Sequence, residues 1–511
     1  MALALYLTGV AGIVGPVPLH LLTSTGPTAS VVEQREKSTS SHESLSPSQA
    51  VEKARERAIA AFEAGQRAHQ RGALKEAIEH YDAALELIPD FPEALYQRGM
   101  ARLALKQWEA ARDDLLRLAR LESEVFASGE AADDPQVRSF FARVHSALGD
   151  IFSEQGDRTK AERHYREALK LDPHLRRATT GLATLLIARR AFSEAAELLR
   201  AAIDAGATAA DLYALLGYVY EHLHRPDEAE QSYSRAIELE PHHRLARERR
   251  GHLRATEQNI QGAIEDLLML YQQEPSADRA RELAALYERA HQWDEAIAFY
   301  RKAIATSADA EQTKRLRVKL IDLLVSVDRS DEALTEARQL AQAYPDDAHI
   351  LADLGHLLLD RDPAQAARLY ARALALDRHN VDYQIGLSAA LIKLKRFQDA
   401  VTISLDALAR APDNYYVHSN LATAYFELQD FAHAAEHFQW ITAHRPAAVV
   451  AYYFLGICYD RLMEYESALQ AYQQFLERAD ARQYQMEMDN VRFRLPGLRR
   501  AIEKGRGRRR K

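Results

Sequence analysis

The chain is 511 residues long and carries 66 basic against 74 acidic residues, a formal charge of −8 with histidine neutral. At 47% hydrophobic and 27% charged residues its composition is that of an ordinary globular protein, and the mildly acidic balance makes it a poor candidate for broad nucleic-acid binding, which needs a basic face. Its one cysteine, Cys458, excludes an intramolecular disulfide and any cysteine-rich zinc or iron–sulfur site.

Residues 2–22 contain no Asp, Glu, Lys or Arg, a stretch long enough to enter a bilayer. Gly9, Gly12, Gly15, Pro16 and Pro18 weaken it as a spanning helix, and it reads more like the apolar part of a secretion signal ending near Thr28, Ala29 and Ser30. No Lys or Arg precedes the run, although such signals normally have a basic start. Three readings stay open: a signal whose start lies upstream, a weak membrane anchor, and the apolar tail of a cytoplasmic protein. Residues 1–30 are thus expected to form a signal-like or anchor segment, giving an exported or membrane-tethered protein of the periplasm or cell envelope, with the cytoplasm as alternative. Residues 31–57, rich in Ser, Glu, Gln and Lys, bury too little apolar surface to offset ordering entropy and predict a flexible leader that hands over to helix near Pro47.

From there an internal period dominates. Alanine recurs as Ala77, Ala111, Ala161, Ala195, Ala229, Ala263, Ala296, Ala333, Ala366, Ala400, Ala434 and Ala468, nearly always 33 or 34 residues apart. Four residues after this anchor seven units carry an aromatic: Tyr81, Tyr165, Tyr233, Tyr300, Tyr370, Phe438 and Tyr472. Seven after it come alanines such as Ala84, Ala168 and Ala236, on the same helical face. Twelve after it prolines such as Pro89, Pro173 and Pro241 stop the second helix. Twelve before it Gly65, Gly99, Gly149, Gly217, Gly251 and Gly456 mark where the first helix approaches its neighbour closely.

These residues resemble the tetratricopeptide repeat family, helix–turn–helix units of 34 residues, over about 58–480. The resemblance implies an all-α, right-handed superhelical solenoid of about twelve repeats with a C-terminal capping helix. Each helix pair has one apolar face that only stacking can bury. The implied divisions are units 1–2 at 58–121, an insertion at 122–141, units 3–12 at 142–482, a cap at 483–503 and a basic tail at 504–511. The 50-residue gap between Ala111 and Ala161 reads as a loop around Glu130–Pro135, splitting the array into a short and a long block. Two units depart from the pattern. Ile321 and Ala337 replace the glycine and the aromatic around Ala333, and Gly355 comes one residue late before Ala366.

In this family the first helix of each unit lines a concave groove, which implies inward positions about 18, 15, 11, 8 and 7 residues before each anchor. In the third unit these are Arg143, Ser146, Asp150, Ser153 and Glu154; the tenth to twelfth hold Ile385, Ile392, Tyr416, Phe426, Tyr453 and Ile457. The C-terminal groove is therefore the candidate partner site, the competing reading being that these six residues pack the core. Two family variants find no support. A carboxylate-gripping clamp would need Lys, Asn and Arg where Phe62, Gln66, Tyr96 and Met100 stand, and an asparagine ladder is represented by Asn420 alone among the positions compared.

No phosphate loop, dinucleotide fingerprint or nucleophile elbow is present. His433 and His437 share a helix face with metal-ligand spacing but read as a solvated face; His242 and His243 lie at a repeat boundary, and Cys458 reads as a small buried residue. No metal, cofactor or catalytic residue is expected. Arg506, Arg508, Arg509, Arg510 and Lys511 form a run that attracts phosphates or acidic surfaces. The leading expectation is a non-enzymatic scaffold or adaptor holding partner proteins or peptides, in assembly of a bacterial cell-envelope or multi-subunit complex. Its rivals are RNA or anionic-surface binding through the basic tail, and an enzyme with its site hidden in the groove.

Overall fold

The computed structural model describes residues 47–127 and 133–507. The signal-like segment, residues 128–132 of the insertion, and Arg508, Arg509, Arg510 and Lys511 lie outside the described residues. These fold into 25 helices with no strand among them, in two compact blocks, Met1–Gln273 and Glu274–Lys511.

The first block stacks six helix pairs: α1 (Pro47–Gln70) with α2 (Leu74–Leu87), α3 (Pro92–Ala104) with α4 (Trp108–Ala127), α5 (Pro135–Glu154) with α6 (Arg158–Leu171), α7 (Arg176–Ala188) with α8 (Phe192–Asp204), α9 (Ala210–His222) with α10 (Pro226–Leu239), and α11 (Arg244–Thr256) with α12 (Ile260–Gln273). The second continues with α13 (Ala277–Arg289) and α14 (Trp293–Thr306), α15 (Ala310–Ser326) and α16 (Ser330–Ala343), α17 (Ala348–Leu358) and α18 (Pro363–Leu376), α19 (Val381–Lys393) and α20 (Phe397–Arg410), α21 (Tyr415–Glu427) and α22 (Phe431–His444), α23 (Val449–Arg461) and α24 (Tyr465–Arg478). Helix α25 (Ala481–Glu503) then packs Met488, Val491 and Leu498 onto the last pair. Each block is thus an all-α solenoid of helical hairpins, the fold class the period implies.

All twelve anchor alanines are fully buried, because at each the second helix presses on the first with no room for a larger side chain. The turn between the two helices is built the same way in eleven units: the residue five before the anchor is left-handed. Gly72 and Gly156 serve there in units one and three, but nine units use Lys106, Arg190, His224, Gln258, His291, Asp328, Lys395, Gln429 or Met463. The hydrogen bonds around it close the first helix; Lys395 N–H donates to the Ile392 carbonyl and Arg396 N–H to the Leu391 carbonyl, each at 2.9 Å. Ala366's unit departs here too, with α17 cut short and Asp362 capping α18 through Gln365 N at 2.9 Å.

The glycine twelve before the anchor exists for the aromatic four after it. A Cβ at Gly149 would lie 2.5 Å from the Tyr165 ring, and one at Gly181, on the next repeat's first helix, 2.4 Å from it. Where the second helix offers leucine instead, the room is larger: Gly99 would meet Leu115 at 3.2 Å and Gly251 would meet Leu267 at 3.1 Å. Around Ala333 the sizes are reversed, with Ile321 and Ala337 both buried. Around Ala400 two serines replace the pair, and Ser388 Oγ and Ser404 Oγ hydrogen-bond at 2.6 Å in the core.

Helix starts at Pro47, where the leader is expected to hand over, so the last eleven residues of the 31–57 stretch are helical. Proline suits a first helical position, and the Ala-, Glu- and Arg-rich sequence after it favours helix while burying Ala50, Ala58 and Ala68. The 122–141 insertion is mostly helix as well: α4 runs on to Ala127, and α5 starts at Pro135, with Asp134 capping Gln136 N at 2.8 Å. Val137, Phe140 and Phe141 are buried there, and Phe126 packs edge-on against Phe141 at 5.6 Å. The insertion therefore adds core, and the compact division falls at Gln273/Glu274 instead. The cap, expected at 483–503, runs as helix from Ala481 through Pro496 to Glu503, with a break in helical geometry at Tyr484.

Candidate protein-binding groove

The first helices of the last three pairs carry the six residues expected to line the groove. Tyr416 is 61% exposed; Ile385, Ile392, Phe426, Tyr453 and Ile457 are half-buried. Tyr416 stands one repeat ahead of Val450, which is 40% exposed at the same position of its own unit. Their immediate neighbours Val417 and Ala451 turn inward and are buried, as helical periodicity requires.

The other side chains do double duty. Phe426 packs edge-on against Phe431, Phe438 and Phe454 at 5.8, 6.4 and 5.1 Å. Tyr453 touches Phe454 and Phe475, both at 5.4 Å. Asn420, the lone asparagine of the compared ladder positions, donates from Nδ2 to the Ile385 carbonyl at 3.1 Å, tying α21 to α19. Asp460 accepts two hydrogen bonds from Arg494 of the cap, both at 2.7 Å.

In the first block the groove chemistry is polar. Asp150 accepts from Tyr165 Oη at 2.6 Å and from Arg177 Nε at 2.5 Å. Burial pushes its carboxyl above the usual range, against the pull of Arg177. Arg143 and Arg177 occupy equivalent positions of successive repeats, 18 before Ala161 and Ala195, and Arg143 Nε is buried with no hydrogen-bond partner among the described residues. Ser146 is buried, off the groove. Applying the 18-residue offset to the fourth unit would have found Arg177 from the sequence.

His433 is exposed, as a solvated face requires, whereas His437 is half-buried against a neighbouring helix. His437 Nδ1 meets His418 Nδ1 at 3.0 Å, and His418 Nε2 donates to the Pro412 carbonyl at 2.8 Å while its ring stacks on Trp440. The same pair recurs in the third unit, where His145 Nδ1 meets His164 Nδ1 at 2.9 Å and His145 Nε2 meets Glu122 at 2.6 Å. Burial and the neighbouring imidazole push both His164 and His437 down to about 4. The sequence hides these pairs because the partners are 19 residues apart on different helices. His433 binds Asp430 at 2.7 Å. His243 caps α11, accepting from Ala246 N at 3.2 Å, and reaches Asp211 at 3.1 Å.

Cys458 is buried, and burial pushes its thiol up to about 12, far from a nucleophile's range. Among the described residues no cluster of three or more His, Cys, Asp or Glu is placed to hold a metal ion, and no helix is long and apolar enough to cross a membrane. Of the basic run, Arg506 is described and exposed.

Similarity to known proteins follows the repeats. The human protein O-mannosyl-transferase TMTC3 is 24% identical over 360 residues, covering 68% of this chain and 38% of its own length. A TPR repeat-containing protein of Treponema pallidum (strain Nichols) is 27% identical over 370 residues, covering 68% of this chain and 43% of its own. The chain thus spans about two fifths of the length of these curated relatives. The crystal structure of YrrB, described as a TPR protein with an unusual peptide-binding site, matches 34% of the chain and 89% of its own length, with 25% identity and a TM-score of 0.30. Family models described as TPR repeat or tetratricopeptide repeat match residues 65–106, 93–122, 146–210, 210–243, 281–314, 357–422 and 419–483. Those matches together span more than half of the sequence, and the chain belongs to the tetratricopeptide repeat family.

Proposed function

We propose that this protein is a non-enzymatic scaffold that holds a segment of a partner protein along the groove of its second block. Tetratricopeptide repeats in general serve as protein-interaction scaffolds, and what points to this groove is the exposure of Tyr416 and Val450 at equivalent positions of adjacent repeats. Large apolar side chains left in water on successive first helices favour an occupant that covers them. Half-buried Ile457 and Tyr453 beside them offer more apolar surface, and half-buried Ser419 offers a hydroxyl to orient a peptide backbone.

The apolar stretch 2–22 supports export or tethering, which would put the partners among components of a cell-envelope assembly. The transferase activity in the name of the human relative belongs to that much longer protein, of which the match covers 38%.

The test is affinity capture from the native cell, comparing the wild type with Tyr416→Ala/Val450→Ala. Both side chains are exposed, so helicity is unchanged and the unfolding free energy stays within about 1 kcal/mol of wild type. A partner lost from the variant supports the reading, and the same partners captured equally by both overturn it. Protease accessibility of residues 31–46 in intact cells tests export separately.

A further inference from the structure

Helix α25 has two apolar sides. One carries Met488, Val491 and Leu498 into the core. The other carries Met486, 71% exposed, and Phe493, 90% exposed, the two most exposed large hydrophobic side chains among the described residues. They are seven residues apart, so they lie on one face about 10 Å from each other along the helix, and seven further on Arg500 shares that face.

Charge is segregated in the same place. Residues 481–511 hold eleven basic and three acidic residues, a net +8, whereas residues 1–480 carry −16. Arg494 is engaged by Asp460, but Arg499, Arg500, Lys504 and Arg506 are exposed. An aromatic and a thioether bordered by arginines on an amphipathic helix is the pattern of a helix that lies in a membrane interface, and apolar insertion plus a polybasic segment supplies the two signals stable attachment needs.

We propose that α25 docks the protein on an anionic phospholipid surface, with Met486 and Phe493 entering the headgroup–acyl boundary and Arg499, Arg500, Lys504 and Arg506 meeting the phosphates. The other occupants fit less well. A second copy of α25 would bring one +8 segment against another. A long RNA would meet the −16 of the remaining chain, and Met486 offers it no ring to stack on. A bilayer needs to touch only this helix.

The test is co-sedimentation of the full chain with vesicles of phosphatidylcholine alone and of phosphatidylcholine mixed with phosphatidylglycerol. Binding is expected only to the mixed vesicles and weakens as salt is raised. Met486→Ser/Phe493→Ser should reduce it at least tenfold at low salt with helicity unchanged, since both side chains are already in water, and Arg499→Glu/Arg500→Glu should reduce it comparably. Absence of binding to the mixed vesicles, equal binding to both compositions, or indifference to Met486→Ser/Phe493→Ser overturns the proposal. So does sensitivity to that double variant found only in binding of a homopolymeric RNA, or only in a self-association seen by analytical ultracentrifugation.

Discussion

Tyr165 fits because two glycines flank its ring. Gly149 and Gly181 approach it from the first helices of two successive repeats, and a methyl group on either would sit near 2.5 Å from ring carbons. The ring cannot swing away, since its hydroxyl is held by Asp150. Gly149→Ala should therefore lose about 2 kcal/mol, overpacking outweighing the roughly 1 kcal/mol that alanine gains as a helix former. Gly99→Ala, facing a leucine that can yield, should change stability by less than about 1 kcal/mol. In a Tyr165→Leu background the Gly149→Ala loss should shrink to the same small value, a coupling that a double-mutant cycle by urea denaturation reads directly. An equal loss in both backgrounds would mean that the ring is not what the glycine accommodates.

The element that repeats most faithfully is the turn between the helices of a pair, and its strain is spread over the array. Nine of the eleven left-handed turn residues are not glycine, although such residues pay about 1–2 kcal/mol for that geometry. Lys395→Gly should raise stability by about 0.5–1 kcal/mol, relief of strain exceeding the added freedom of the unfolded chain. Gly72→Ala should lower it by about 1 kcal/mol, although nothing lies within 4 Å of the position, because only backbone geometry is at stake. Thermal unfolding of the two variants checks both signs. This turn was not legible as a motif: Lys, Arg, His, Gln, Asp and Met share it, and what selects the conformation is the closing hydrogen bonds, not the side chain. The anchor, glycine and aromatic positions were legible because each is constrained by size.

At the scale of the molecule, each block holds a partly buried histidine pair among the described residues, His145 with His164 and His418 with His437. His164 and His437 have folded-state pKa values near 4, below the ordinary 6.5, so the unfolded chain takes up protons first as pH falls. Their contribution is complete above pH 6.5, declines between 6.5 and 4, and levels off below 4. Each ring is only partly buried, so solvent screening keeps each slope under the limit of about 1.4 kcal/mol per pH unit. The urea midpoint should fall from pH 7 to pH 5, and His164→Asn/His437→Asn should flatten that fall; an unchanged slope in the double variant would dismiss the pairs as its source.

The sequence by itself determined the repeat, its length, its helix pairs and the candidate lining of the groove, because each unit obeys the same contacts between residues close along the chain. Tertiary structure alone decided what depends on helices meeting: the fusion of the insertion into α4 and α5, the compact division at Gln273/Glu274, the histidine pairs, and Phe426 packing while Tyr416 stays in water. A periodic pattern says which face of a helix is apolar. How much of that face a neighbour covers depends on the neighbour's side chains, which is why Val491 is buried and Phe493, two residues on, stands in solvent.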